Sequence, residues 1–200
     1  LNMLLFNMED LGVKVIDGRI PVLLSAPHVY SHRRPSLTLS YKWGEEFTDT
    51  IVEELCLKSG AWGVIQTKET EYDPNWHKIK ENPYKKEIKK VIGDKKFNKF
   101  IDIHGLNDEN KYDFGIYYPS RFRRSIVLAE KMRKALDKGE LTGVNVCIFR
   151  CPDDLQETLA EYVADELRIP SVQLEVARYI RESDELRSEF IKNLIPFLKV

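Results

Sequence analysis

What this sequence has little of narrows its class first. It holds three cysteines, Cys56, Cys147 and Cys151, in 200 residues. An odd count without framework spacing excludes a disulfide-stapled secreted scaffold and fits a reducing cytoplasm. Cys147 and Cys151 stand wider apart than a usual zinc pair and have no second pair to complete a site, so both read as plain thiols. No charge of one sign dominates: 31 basic residues face 32 acidic ones, for a net charge of −1. A field that would gather nucleic acid or an anionic membrane is therefore missing. Long apolar runs are missing too. "IPVLLSAP" falls far short of the ~20 residues of a membrane span, and the opening "LNMLLFNMED" lacks the basic segment of a signal peptide. There is no internal repeat and no low-complexity tract. The expectation is one domain over residues 1–200, located in the cytoplasm, with a small molecule as its partner rather than nucleic acid or membrane.

What is present alternates. "VKVIDGRIPVLLSAPH" places Asp17-Gly18 between two apolar runs, a hairpin signal with its second strand near residues 20–26. Apolar spacing predicts helices over 41–60, 83–94, 121–140, 155–169 and 183–200. Strands are predicted over 61–67, 99–105, 112–119, 143–150 and 170–180. Between them, 68–83 is a polar, proline-broken loop of about sixteen residues, a length that usually signals function. Strands alternating with helices give an α/β three-layer sandwich on a mostly parallel mixed sheet.

In open α/β sheets, ligands bind beyond the carboxyl ends of the strands. Four distant segments place polar groups there: His28 after "PVLLSAP", Asp73 and Asn75 in the long loop, His104 at the end of "KFIDIH", and Glu175 late in "SVQLEVA". The chain has only four histidines, and two of them end predicted strands. Catalytic zinc sites commonly take three His or carboxylate ligands and leave a fourth position for water. His28 and His104 can supply two nitrogens. A carboxylate from the following predicted helix would be the third, either Glu45 or Glu46. On a wheel of about 100° per residue, Glu45 borders the apolar face of Phe47, Ile51 and Leu55, whereas Glu46 lies opposite it, so Glu45 is preferred.

Asp102 precedes His104 by two residues and shares its strand face. It is placed to hold that imidazole, since a ligating histidine commonly gives its other N–H to a carboxylate. Glu175 sits among apolar neighbours, where a carboxylate is costly unless used or paired. It is a candidate general base, or the ion-pair partner of Arg178 or Arg181.

Together, "SAPHVYSHRR", "KWGEEFT", "DPN" at 73–75, "DIHG" at 102–105 and "VQLEVARYIR" at 172–181 resemble the N-formylglutamate amidohydrolase family. That family belongs to the zinc-carboxypeptidase-like hydrolases. The resemblance spans about 150 residues in the family's order. It implies one zinc ion on His28, Glu45 and His104, with Asp73 and Asp102 behind them. It implies Glu175 as the base, and an acidic N-acyl amide as substrate whose carboxylate meets an arginine. The chain departs from the pattern at one point: Trp76 follows Asn75 where the family has arginine. Arg33, Arg34 or Arg178 would then bind substrate together with Asn75. Two other readings compete. "DIHG" also resembles the opening Asp-x-His of metal-dependent phosphoesterases, and a non-catalytic fold relative could bind an acidic ligand.

Overall fold

A computed structural model describes residues 12–34, 41–119, 122–152 and 157–200. The opening segment, residue 121 and residues 155–156 of two predicted helices lie outside the described residues. The main sheet has seven strands, in the order β1 (Val13–Ile16), β5 (Trp62–Gln66), β2 (Val22–Ala26), β6 (Lys99–Leu106), β9 (Ser171–Ala177), β7 (Phe114–Tyr118) and β8 (Val146–Arg150). Strands β5, β2, β6 and β9 run parallel. β1 and β7 pair antiparallel with β5 and β9, while β8 follows β7 in parallel. This is the expected mostly parallel, mixed sheet. A small second sheet pairs β3 (His32–Arg33) with β4 (Tyr41–Lys42).

Side-chain alternation on the strands separates two cores. Leu24 and Ala26 of β2, Ile101 and Ile103 of β6, and Leu174 and Val176 of β9 pack with α1 (Thr48–Ser59), α3 (Arg123–Leu136) and α6 (Asp184–Leu198). Leu23 and Phe100 point the other way, onto α2 (Pro83–Ile92) and α4 (Leu159–Asp165). Helices on both faces of one sheet make three layers. The short α5 (Arg178–Glu182) directly follows β9, so the strand predicted to reach residue 180 stops at Ala177.

Two further expectations are corrected. Asp17-Gly18 does not close a hairpin, because β5 lies between β1 and β2. Gly18 serves a close approach instead. A Cβ there would stand 2.5 Å from the backbone of Ala61 and Trp62, and the neighbouring Arg19 and Ile20 amides donate to Gly60 O at 2.8 and 3.1 Å. The helix predicted from residue 41 begins only at Thr48, after β4 and a turn that ends on Phe47 in the left-handed region (φ 65°).

Candidate metal centre

The ends of β2, β6 and β9 meet on the face that carries α2 and α4. Strand register sets Ser25, Asp102 and Gln173 in one row and places His104 beside Glu175. His28 follows β2 by two residues. Glu45 arrives in the turn before α1, not on the helix, so its inward reach does not come from a wheel position. Its amide donates to His28 O at 2.7 Å, and Thr48 Oγ1 donates back to Glu45 O at 2.8 Å. The turn is thereby docked onto the end of β2.

The three side chains converge. Glu45 Oε1 lies 3.3 Å from His28 Nδ1, and Glu45 Oε2 lies 3.2 Å from His104 Nδ1. One ligand atom from each of the three can be chosen so that all lie within 4.8 Å of one another. Gly105 N donates to Glu45 Oε2 at 2.9 Å. Gly105 must lack a side chain: a Cβ would sit 2.8 Å from the Arg181 guanidinium and 3.0 Å from Glu45 Cβ.

The far ring nitrogens are held by buried carboxylates. His28 Nε2 meets Asp73 Oδ1 at 2.9 Å, and His104 Nε2 meets Asp102 Oδ2 at 2.8 Å. Asn75 Nδ2 also lies 3.0 Å from His104 Nε2. Its amide is oriented by Leu159 N donating to Oδ1 at 2.8 Å, and its Nδ2 reaches Gln173 Oε1 at 3.3 Å. The His104 Nε2 proton therefore goes to Asp102. With both Nε2 protons directed outward, both Nδ1 atoms face Glu45, and an ion would take the place of the proton that each shares with this carboxylate. Two imidazole nitrogens and a carboxylate, each imidazole backed by a second carboxylate, form the donor set of a zinc-type site. The residues present fit such an ion.

The electrostatics agree. Burial works against a charged His28, but Asp73 and then Glu45 outweigh it and raise its pKa. Burial likewise opposes a charged His104, and Asp102 and Glu45 raise its pKa well above the usual value. Glu45, though buried, is held well below the carboxylate range by His104 and His28. A field that draws protons onto both imidazoles is one that a dication would also answer. Glu175 behaves oppositely: burial pushes it up to about 7, with His104 pulling against the rise and Glu45 adding to it. Gln173 Nε2 donates to Glu175 Oε1 at 2.7 Å.

Two cavities meet here. The inner one, of about 290 Å³, is lined by His28, Glu45, His104, Glu175, Asn75, Gln173, Tyr112 and Tyr117, among others. The two tyrosine hydroxyls lie 3.0 Å apart. The outer groove, of about 890 Å³, shares Lys42, Glu45 and residues 105–107 and runs past Tyr30, Tyr41 and Trp43. Trp43 is 90% exposed.

The arginines separate. Arg34 lines the inner cavity, with Nε donating to Asp73 Oδ2 at 2.6 Å and its guanidinium 5.7 Å over the Trp76 ring. Trp76, at the point of departure from the family pattern, thus supports a neighbouring arginine. Arg33 is turned to solvent against Glu71 at 3.4 Å. Arg178 lines only the outer groove and pairs with Glu182 at 2.5 Å, not with Glu175. Arg181 donates to the Val176 and Glu46 carbonyls.

Sequence reasoning missed His32. Its ring stacks on His28 at 3.9 Å and 9°. Nδ1 donates to Tyr30 O at 3.4 Å, and Nε2 is buried without a hydrogen-bond partner. Burial and the nearby His28 lower its pKa to about 4, so it packs as a neutral ring. The available signal was two histidines within the five residues "HVYSH". Lys42, Tyr112 and Tyr117 carried no signal, because nothing in their spacing ties them to His28 or His104.

No family model matches this chain, and no curated protein does. Solved structures do share its fold. A gene product of Agrobacterium tumefaciens superposes with a TM-score of 0.66 at 15% identity, over 96% of each chain. A succinylglutamate desuccinylase of Vibrio parahaemolyticus gives 0.60 at 14% identity, over 94% of this chain and 70% of that one. A metallo-carboxypeptidase of Burkholderia cenocepacia gives 0.58 at 12% identity, over 92% and 63%. The fold is zinc-carboxypeptidase-like. At these identities the likeness speaks for the fold alone.

Proposed function

We propose that this chain is a zinc-dependent hydrolase that cleaves the amide bond of a small N-acyl amino acid with an acidic side chain, N-formylglutamate-like in kind. One observation carries the reading. Two imidazoles turn their Nδ1 atoms onto one carboxylate, each is locked from behind by a buried aspartate, and a buried glutamate with a raised pKa lines the same cavity. A purely structural ion would not need a cavity-lining glutamate with a raised pKa beside it. The phosphoesterase reading is disfavoured by Asp102, whose carboxylate is given to His104 instead of facing the ligand cluster.

His28 Nδ1, His104 Nδ1 and the Glu45 carboxylate would hold the zinc. When bound, the ion supplies Lewis acidity toward the scissile carbonyl and toward water. Asp73 and Asp102 fix the tautomer of each imidazole and keep both Nδ1 lone pairs directed inward. Glu175, with Oε1 tied to Gln173, takes a proton from the attacking water on Oε2 and delivers it to the leaving amine nitrogen. Burial suits it to that task, because a base poised near neutral pH can both accept and return a proton. Asn75 and Arg34 line the cleft where the acyl and carboxylate oxygens would lie.

The test is a zinc-loaded preparation assayed for free amine with N-formyl-, N-acetyl- and N-succinyl-L-glutamate, and with N-formyl-L-leucine. Elemental analysis should give one zinc per chain, with faster release from the glutamate derivatives. A protein that holds zinc yet hydrolyses none of the four would overturn the reading.

A further inference from the structure

Five basic side chains surround or approach the centre, and four are committed. Arg33 pairs with Glu71, Arg34 with Asp73, Arg178 with Glu182, and Arg181 donates to backbone carbonyls. The fifth is Lys42. It has no hydrogen-bond or ion-pair partner among the described residues, yet it lines both the inner cavity and the outer groove.

Its position is fixed by the β3–β4 pair. Lys42 stands directly opposite His32. Directly opposite residues of an antiparallel pair project from the same face. His32 lies against His28, so Lys42 projects on the metal-centre side. Tyr41, opposite Arg33, projects on the other and donates its hydroxyl to Glu71. Partial burial, and next the Arg34 guanidinium, lower the Lys42 pKa, while Asp73, Glu45 and Glu175 pull it upward. Two cations thus face one cleft. Asp73 neutralises Arg34, and no bonded counter-charge answers Lys42. A partly desolvated ammonium beside another cation is unfavourable until an anion joins it.

Resting on the amide-hydrolase reading above, we propose that Lys42 determines specificity: its ammonium takes the free carboxylate of an acidic substrate whose scissile amide lies over His28, Glu45 and His104. The side-chain anchor then comes from the β4 strand rather than from the loop at Trp76. Lys42 is the group through which the cleft distinguishes an acidic N-acyl amino acid from a neutral one.

The experiment measures binding, so it does not depend on turnover. Calorimetry on the full zinc-loaded chain compares glutarate with pentanoate, which has the same carbon count and one carboxylate fewer. Wild type should prefer glutarate roughly 10- to 100-fold, the worth of one charge-assisted hydrogen bond. Lys42→Met should bring the two affinities together while pentanoate binding and zinc content stay unchanged. Lys42→Arg, which keeps the charge, should restore most of the preference. Lys42 sits on a two-residue strand at the open mouth of the cleft, outside both cores, and circular dichroism on each variant confirms the fold. Equal binding of both acids by wild type, or binding of neither, overturns the proposal. So does a preference that survives Lys42→Met, and its loss in Arg34→Gln instead would move the anchor to Arg34. If the amide panel is not hydrolysed while the Lys42-dependent preference stands, the hydrolase reading fails and the acid anchor does not.

Discussion

Replacing Asp73 with asparagine is the sharpest test of how this centre is held. Asp73 is fully buried. Oδ1 receives His28 Nε2 at 2.9 Å and Asn75 N at 2.8 Å, and Oδ2 receives Arg34 Nε at 2.6 Å. Asparagine keeps the shape and one acceptor for His28, so the tautomer survives but the charge that makes the imidazole a stronger donor is lost. Removing such a partner typically costs 10–100-fold in metal affinity, or about 1.4–2.8 kcal/mol at tenfold per 1.4 kcal/mol. The assay is competition for zinc against a chromophoric chelator. A separate consequence is expected in folding. Arg34 loses its counter-charge, and because its side chain is 17% exposed the penalty should fall below the ~3–5 kcal/mol of a fully buried broken pair. Arg34→Gln separates the two effects: it breaks the same ion pair but leaves the Asp73–His28 bond, so stability should drop with zinc affinity within a few-fold of wild type. Asp102→Asn should repeat the affinity loss through His104, and the double variant should approach the product of the two. If Asp73→Asn binds zinc as tightly as wild type, or Arg34→Gln weakens zinc equally, Asp73 is a structural partner of Arg34 and the carboxylate–histidine reading is wrong.

Three further outcomes are expected. Glu175→Gln should retain zinc and fold while kcat falls by about 10²–10⁴-fold. Because burial raises the Glu175 pKa to about 7, the active carboxylate form is gained as pH rises through that region. Wild-type rate should therefore climb along that limb, a bound dication should move the limb to lower pH, and Glu175→Gln should lack it; an unchanged pH profile in the variant would assign the base elsewhere. Gly105→Ala forces a Cβ against Arg181 and Glu45, so a lowered Tm from overpacking, typically ~1–3 kcal/mol, should accompany weakened zinc binding, and wild-type values for both would refute the packing account. Zinc at a hundredfold excess over its Kd should stabilise the wild-type fold by about 2.7 kcal/mol, whereas His104→Ala should show no such shift in a thermal melt.

Much of the scaffold was legible because its signals are local. Apolar runs at 61–67, 99–105 and 143–150 contain or match β5, β6 and β8, and the helices predicted from residues 83 and 183 begin at Pro83 and Asp184. What failed was pairing. Asp17-Gly18 has the composition of a turn, but the partner of β1 arrives some fifty residues later, and local sequence carries no record of which strand will intervene. The centre was half legible for the same reason. His28 and His104 stand out because few histidines occur and both follow apolar strands. Glu45 was selected through helical geometry that the chain does not adopt there. It reaches the cluster because its turn is hydrogen-bonded to His28 O, a contact between segments that no periodicity encodes. Lys42 and His32 meet through the β3–β4 register, which two-residue strands are too short to announce.

The placement of the tryptophans gives the molecule its own optical readout. Trp43 stands in water on the wall of the outer groove, and Trp76 lies behind the inner cleft, beneath the guanidinium of Arg34, which lines it. Trp62 is partly covered on β5, beside Phe97 and Lys95. A ligand confined to the inner cleft would alter Trp76 and leave the long-wavelength emission of Trp43 untouched. One long enough to extend along the groove would shift Trp43 to the blue as well. Two single variants, Trp43→Phe and Trp76→Phe, would resolve the signals. Titration with compounds of increasing length would then report, from emission alone, how far along the groove each one reaches.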